Sequence, residues 1–378
     1  MASNRSIFVD VGSTERIVAP QIGAIDAGKT GARRAIAAWL ALMLAMVICL
    51  VLVGGLTRLT DSGLSITEWK PVTGALPPIS AQAWDEEFQK YRAIPEYQLQ
   101  NKGMSLTEFK FIYWWEWGHR QLARMIGLVW ALGFFWFLAR RQIPAGWTGK
   151  LLLLGALGGL QGAIGWWMVS SGLTGRMLDV ASYRLATHLG LAFIILCFIG
   201  WFRWQLLRPE VELYRAARDR DRGFVALSTI YLVIMFGQIL LGALVAGIDA
   251  GRSYSEWPMM AEGEFLPSEA FDLQPFWTNF TENAALVQFN HRMLGYVTLA
   301  FTGFVWWRAQ RQQSRALKRI FNWVGVLVLA QMILGIVTVV TAAPWQIAIV
   351  HQFGAILVIL SVLYARFLAA YPRAEGIR

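Results

Sequence analysis

Long apolar stretches alternate with shorter polar stretches along most of this 378-residue chain. Eight of the apolar stretches are about 20 residues long, which is the length of a helix that crosses the ~30 Å hydrocarbon core of a bilayer. The core of a single soluble domain would not produce this rhythm. The pattern therefore predicts an all-α polytopic membrane protein with eight transmembrane helices, at 35–57, 111–139, 150–171, 183–203, 224–247, 284–307, 320–341 and 346–367.

The chain contains two copies of a four-helix unit. GGLTRLTDSGLSITEW (54–69) follows the first predicted helix, and GALVAGIDAGRSYSEW (242–257) follows the fifth, with Gly, Leu, Asp, Gly, Ser, Glu and Trp at matching positions. EWGHR (116–120) opens the second helix and QFNHR (288–292) opens the sixth. Because each copy has an even number of helices, both copies enter and leave on the same side of the membrane, as parallel repeats do.

The repeat predicts the domain organisation of the chain. We expect two parallel-repeat four-helix bundles, with a site inside each. The domain boundaries follow in chain order: a cytoplasmic tail at 1–34, an N-terminal bundle at 35–203, a basic linker at 204–223, a C-terminal bundle at 224–367 and a cytoplasmic tail at 368–378. The long loop 58–110 and its copy, 248–283, are expected to cover the two sites from outside, and the polar stretch 81–92 to form a surface helix.

Composition and charge support a membrane topology with cytoplasmic termini. The chain is 56% hydrophobic and only 15% charged, whereas roughly a quarter of the residues in soluble domains are charged. Most of its 34 Lys and Arg residues fall on one side, in the two tails, the linker and the loops 140–150 and 308–319, as the positive-inside rule describes. The net charge of +10 thus reflects topology and contact with anionic lipid, and it predicts no nucleic-acid partner.

The only four histidines of the chain are the main candidates for chemistry. They are His119, His188, His291 and His351, one in each even-numbered helix and each about two turns from its outer end. Ionisable groups at such a depth are costly and usually functional, and two imidazoles that face each other across a bundle can ligate haem iron axially. A zinc site would need three or four ligands at one point. The repeat therefore predicts two haem-iron sites, one on the first pair of histidines and one on the second.

An arginine follows one histidine of each pair. Arg120 comes directly after His119, and Arg292 directly after His291. Arginine binds carboxylates in a bidentate manner and could hold haem propionates. The same position also suits an arginine that extends to the outer interface of the membrane. Both interpretations remain open from the sequence.

One difference between the repeats suggests chemistry at the first site. Glu116 lies three residues before His119, whereas Gln288 occupies the matching place before His291. Residues at this spacing share a helix face, so the first site has a carboxylate beside its ligand and the second has a neutral amide. Such a carboxylate could accept a proton or stabilise a positive charge. The alternative is a structural ion pair with Arg120 or another nearby arginine.

Taken together, these residues resemble the haem A synthases, membrane enzymes that convert haem O to haem A. The resemblance covers about 35–367. It is carried by EWGHR and QFNHR, by THLG around His188, by VHQFG around His351, and by the duplicated GGLTRLTDSGLS…EW element.

The resemblance implies a substrate site in the first bundle and a cofactor site in the second. It assigns haem O as the substrate of the N-terminal bundle and haem B, with its iron, as the cofactor of the C-terminal bundle. The implied substrate-binding residues are His119, His188 and Arg120, and the implied cofactor-binding residues are His291, His351 and Arg292. Successive hydroxylations would turn one porphyrin methyl group into a formyl group, with Glu116 as the catalytic residue.

The partners and the membrane follow from the same reasoning. No dinucleotide-binding fingerprint stands in a βαβ context, so an external electron donor is implied. Haem O synthase and a second copy of the chain remain candidate partners, and membrane lipid is expected around the helices. We expect the bacterial inner membrane rather than the mitochondrial one.

Two other functions compete with this interpretation. A non-catalytic di-haem b-type cytochrome would place its haems at different depths to carry electrons across the membrane, whereas all four histidines lie at one depth. A secondary transporter would need a buried charge near the midplane, and no acidic residue lies deep in any predicted helix. The small residues of GGLQGAIGWW (158–167) predict close helix contact rather than chemistry.

Overall fold

The structure is a computed structural model that describes residues 30–174 and 179–373. Eight helices of 22 to 34 residues dominate these residues, and we number them in chain order. They are α1 (Thr30–Leu59), α2 (Leu106–Ala139), α3 (Thr148–Val169), α4 (Ser182–Leu206), α5 (Arg222–Gly247), α6 (Ala284–Gln310), α7 (Arg315–Val340) and α8 (Trp345–Ala370). The predicted all-α class is confirmed.

Seven of these eight helices are long and apolar enough to cross a membrane. The protein is therefore a multi-pass membrane protein. The exception among the described helices is α6, which is as long as its neighbours but carries Gln288, Asn290 and Arg292 in its N-terminal half. That polar turn lowers the hydropathy of α6, and its place as an eighth span stays a prediction.

The helix ends follow local capping chemistry. Helix α2 begins at Leu106, earlier than predicted, because the Ser105 side chain accepts from the backbone N–H of Glu108 while the Glu108 side chain accepts from that of Ser105. The predicted surface helix is present at Ala81–Arg92, with Ser80 as its N-cap. Its buried face packs on the N-terminal end of α2, so it sits over the N-terminal bundle.

The eight helices form two closed rings of contacts. Helices α1 to α4 contact one another in sequence and α4 returns to α1, while α5 to α8 do the same and α8 returns to α5. The rings meet along α1, α4, α5 and α8. These contacts are compatible with the predicted division into two parallel bundles. Most of the predicted N-terminal tail, and the last five residues of the predicted C-terminal tail, lie outside the described residues.

Candidate functional site

The structure brings the four histidines together as two pairs. His119 on α2 and His188 on α4 lie close enough for a charge on one imidazole to act on the other, and so do His291 on α6 and His351 on α8. Each side chain keeps part of its surface accessible. The even-numbered helices of each ring thus present two imidazoles to shared space, which is the arrangement that axial ligation of haem iron requires.

Each imidazole lies against a glycine of a neighbouring odd-numbered helix. A Cβ atom added to Gly54 would come within 2.9 Å of the His119 ring, and one added to Gly165 within 2.8 Å of the His188 ring. In the second bundle, the distances are 3.0 Å from Gly242 to His291 and 3.1 Å from Gly335 to His351. These glycines leave the rings room that any larger residue would take.

Three of the four histidines also accept a hydrogen bond from a glutamine one turn before that glycine. The amide Nε2 atoms of Gln161, Gln238 and Gln331 donate to the backbone carbonyls of their histidines, at 2.9, 3.0 and 2.6 Å. The histidines that accept these bonds are His188, His291 and His351, respectively. Gln161 and Gln238 also lie 3.2 Å from the Nδ1 atom of the ring. Hydrogen bonds between membrane helices fix their register, so these amides hold the histidine-bearing turns.

Glu116 is buried, and both of its carboxylate oxygens accept hydrogen bonds. Its Oε2 accepts from the Ser65 hydroxyl and the Ile66 backbone N–H, both at 2.7 Å, and its Oε1 pairs with Arg120 at 2.6 Å. Arg120 also donates to the carbonyls of Ile66 and Glu68. The pair therefore fastens the beginning of the first outer loop to α2, above the His119 and His188 site.

The second bundle holds its loop in the same way, but with an amide in place of the carboxylate. We call this arrangement in either bundle the loop clamp. Arg292 donates to the Gln288 side-chain oxygen at 2.9 Å and to the carbonyls of Tyr254 and Glu256. Gln288 donates in turn to the carbonyls of Ala250 and Tyr254. Both arginines thus hold the loop of their own half. The Glu116 pair carries no net charge, whereas the Gln288 pair carries one positive charge.

The expectation of a common position along the helices needs one correction. His188, His291 and His351 lie about two turns from the first residue of their helices, as predicted, but His119 lies more than three turns from the start of α2. The Ser105 capping box extends α2 outward by more than a turn, beyond the predicted span. The pairing with His188 shows that His119 still reaches the same site.

The prediction for the small residues of α3 was only partly right. A Cβ atom added to Gly158, Gly159 or Gly162 would meet nothing within 4 Å, whereas one added to Gly165 would meet the His188 ring. Among these four glycines, close contact therefore occurs at Gly165, beside the candidate ligand His188. Gln161 stands four residues before Gly165 and Gln331 four residues before Gly335, but the contacts of these residues with the histidines are evident only in the structure. The signal was the recurrence of Gln-x-x-x-Gly in α3, α5 and α7.

A buried carboxyl group lies in the outer loop of the first half. Glu96 is 3% exposed, and burial raises its pKa to about 8. The Tyr91 hydroxyl donates to it at 3.1 Å and the Asn101 amide at 3.2 Å. This group is held among neutral donors.

The donor set of each bundle fits a haem. Two imidazoles per bundle, with glycines that make room for their rings, match the axial ligands of haem iron. The Nδ1 atom of His351 is buried without a hydrogen-bond partner among the described residues. No group of three or more His, Cys, Asp or Glu converges as a metal site in the described part of the chain.

Comparison with known proteins gives one consistent family. The COX15-CtaA family, described as cytochrome oxidase assembly protein, matches residues 37–363. The haem A synthase of Dinoroseobacter shibae is 60% identical over 380 residues, covering 100% of this chain and 99% of the relative. That of Ruegeria pomeroyi is 56% identical over 380 residues, covering 100% of both. That of Jannaschia sp. is 56% identical over 328 residues, covering 87% of this chain and 86% of the relative. By this match and these identities, the chain belongs to the COX15-CtaA family of cytochrome oxidase assembly proteins.

Proposed function

We propose that this protein is a haem A synthase that oxidises a methyl group of haem O to the formyl group of haem A through successive hydroxylations. The observation that carries the proposal is the pairing of imidazoles inside each bundle, in a chain that is 60% identical to a haem A synthase over its whole length. One pair would bind the substrate haem, and the other a resident haem B cofactor.

The N-terminal bundle is the better candidate for the substrate site. Only this bundle has a carboxylate on the face of α2 that carries the ligand, since Glu116 is replaced by Gln288 in the other half. A reaction that removes hydrogen from a methyl group needs a group that takes up protons or stabilises positive charge. A resident cofactor needs neither at its porphyrin edge. His119 and His188 would then bind haem O, and His291 and His351 would bind haem B.

The contacts of Glu116 favour one of its two predicted roles. Three donors fix both carboxylate oxygens, and Arg120 supplies the countercharge at 2.6 Å. A carboxylate held in this way is a fixed negative charge rather than a freely moving base. We therefore propose that Glu116 stabilises positive charge that develops on the substrate, and that it positions Arg120 and the covering loop.

The arginines are proposed to assist haem binding from above. Arg120 uses three of the roughly five N–H donors of a guanidinium for Glu116 and the loop carbonyls. Arg292 engages both of its terminal nitrogens, and its buried Nε–H has no partner among the described residues. A propionate near either arginine would gain a charge-assisted hydrogen bond. Arg292 is the stronger candidate because no described carboxylate neutralises it.

The haem B proposed for the C-terminal bundle would supply one-electron redox chemistry at its iron. The chain's own residues hold the axial imidazoles, fix the covering loops and place a negative charge beside the substrate ligand. Electrons must be exchanged with an external partner, and haem O synthase is the candidate donor of the substrate. We propose that the protein lies in the bacterial inner membrane with both termini in the cytoplasm.

Formation of haem A in a host that makes haem O but no haem A tests the proposal. We expect haem A in extracts of membranes that contain the intact protein. We expect none with His188→Ala, which removes one proposed substrate ligand. Membranes with normal amounts of the protein and unchanged haem O alone would contradict the proposed activity.

A further inference from the structure

The four histidine-bearing turns are not held by the same contacts from the neighbouring helices. Helices α3, α5 and α7 each place a glutamine one turn before the glycine that meets a histidine ring, in QGAIG (161–165), QILLG (238–242) and QMILG (331–335). Helix α1 has LVLVG (50–54) instead, with Leu50 where the amide would be. Leu50 and Gly54 are one turn apart on the same face of α1. Since Gly54 lies against the His119 ring, Leu50 faces that turn without an amide to donate.

The contacts of His119 differ from those of the other three histidines accordingly. Each of the others accepts a glutamine hydrogen bond at its backbone carbonyl. Within the described residues, His119 has no side-chain hydrogen-bond partner on a neighbouring helix. The His119 ring also presents a different edge to its glycine than the other three rings do. The atoms nearest Gly54 are Nε2 and Cδ2, at 2.9 and 3.3 Å, whereas Cε1 is nearest the glycine at each of the other rings.

We infer that Gln161, Gln238 and Gln331 are positioning residues for the haem ligands, and that His119, which faces Leu50, is the one ligand free to turn away from the iron. The inference rests on the proposed function, because it takes the histidines as haem ligands. The physical reason is the missing bond at the ligand itself. The hydrogen bond from an α1 side chain to this part of α2 is the 3.5 Å bond from the Thr57 hydroxyl to the Trp115 carbonyl, one turn away, so His119 can rotate and shift at lower cost than the other three.

This difference in hydrogen bonding fits the proposed assignment of the substrate haem to the first bundle and the cofactor haem to the second. A cofactor haem stays in place, and both of its ligands, His291 and His351, are held by an amide. A substrate haem must enter and its product must leave. In the proposed substrate site one ligand, His188, is held by Gln161, and the other is not. This asymmetry is independent of the Glu116 and Gln288 difference, yet it selects the same bundle.

Carbon monoxide binding to the reduced protein tests the inference, because the gas can bind only when an axial ligand leaves the iron. The full-length protein is prepared with one haem site at a time, in a host that supplies both haem B and haem O. A single remaining imidazole can still hold a haem, so both histidines of one pair are replaced. His351→Ala together with His291→Ala leaves only the N-terminal site, and His188→Ala together with His119→Ala leaves only the C-terminal site. We call these two proteins the His351→Ala form and the His188→Ala form. We expect the N-terminal site to bind carbon monoxide at least about tenfold faster than the C-terminal site.

Two substitutions add or remove the glutamine amide, and a third is a control that has no amide. Leu50→Gln, made in the His351→Ala form, should slow carbon monoxide binding about tenfold, the effect of roughly one hydrogen bond between helices. Leu50→Met changes the same position without an amide, and it should leave the rate within about twofold. Gln238→Leu, made in the His188→Ala form, copies the α1 arrangement at His291 and should speed binding about tenfold.

The outcomes separate this inference from the proposed function. Equal rates at two haem-loaded sites, or no response to Leu50→Gln, would overturn the inference and leave the haem sites standing. Equal slowing by Leu50→Gln and Leu50→Met would also overturn it, since packing rather than the amide would then be responsible. Failure of either single-site form to retain any haem would refute the proposed haem sites and this inference with them.

Discussion

At the scale of single residues, the negative charge of Glu116 is the clearest difference between the two halves. Gln288 shows that an amide fits this position and still accepts from the following arginine, at 2.9 Å. Glu116→Gln should therefore keep the loop clamp and both haems. It should lower haem A formation at least about 100-fold, a loss typical of groups that act on protons or charge in the transition state, or leave the alcohol intermediate.

The measurement is chromatography of haems extracted from membranes with equal amounts of each protein. Gln288→Glu is the matched control in the other half, and it should leave haem A formation within about threefold. Normal haem A output from Glu116→Gln would remove this residue from the mechanism and leave it a structural role in the loop clamp.

The buried Glu96 predicts a dependence of stability on pH. Burial raises its pKa from 4.5 to about 8 in the folded protein, so folding takes up a proton between these two values. The unfolded state then binds fewer protons than the folded state, and stability falls as the pH rises through this window and levels off above it. Glu96→Gln stays neutral at all pH values and should remove this part of the fall.

Thermal unfolding in detergent at about pH 5 and about pH 9 checks the prediction. The advantage of Glu96→Gln over the wild type should be larger at the higher pH. Glu108→Gln is a suitable control, because this carboxylate is exposed and should show no such gain. An advantage that does not grow with pH would mean that Glu96 is ionised in the folded protein.

At the scale of helices, the glycines opposite the histidines leave room for the imidazole rings of the proposed haem sites. Alanine at Gly165 would bring a Cβ within 2.8 Å of the His188 ring, and alanine at Gly335 within 3.1 Å of the His351 ring. These distances are too short for van der Waals contact, so the ring must move. Gly165→Ala should weaken the haem of the first bundle, and Gly335→Ala that of the second.

The haem content of each purified variant is the measurement, with haem types separated by chromatography. Gly158→Ala lies on the same helix as Gly165 but has open space around the added methyl group, and it should retain the full haem content. Equal haem retention in all three variants would show that the rings do not depend on these glycines.

The sequence predicted the helices well because hydrophobic length is read directly from the chain. The predicted ends differ from α3, α4 and α5 by three residues or fewer, but α2 and α7 begin earlier because Ser105 and Ser314 cap them outside the apolar stretch. The paired histidines were also predictable, since the repeat fixes their partners. The glutamine hydrogen bonds and glycine contacts around the histidines were not predictable, because they depend on which neighbouring helix each helix face contacts. Leu50 became informative only when Gly54 was found against His119.

At the scale of the whole molecule, Arg58, in the last turn of α1, joins the two halves. It pairs with Asp61 at 3.0 Å in its own half and with Asp249 at 2.8 Å in the other, and Asp179 lies 3.4 Å away. Its side chain is 12% exposed. The repeat has Ala246 at the matching place, so the link has no counterpart. Arg58→Ala would leave the carboxylates without this partner.

We expect Arg58→Ala to lower the free energy of unfolding by about 1–3 kcal/mol, less than for a fully buried pair because the carboxylates are partly exposed. Arg252→Ala is the control: this residue lies 3.8 Å from Asp249 and is 45% exposed, and its loss should cost less than about 0.5 kcal/mol. Unfolding in mixed micelles measures both variants. Equal effects would show that the link between the halves does not stabilise the fold.

The two bundles of this one chain are proposed to hold two different haems, a substrate haem and a cofactor haem. Identification of the haems extracted from the purified protein, expressed in a host that supplies haem O, tests this proposal most directly. We expect haem B together with haem A or its hydroxylated precursor. Haem B alone, at two per chain, would contradict the account and identify a di-haem electron-transfer cytochrome instead.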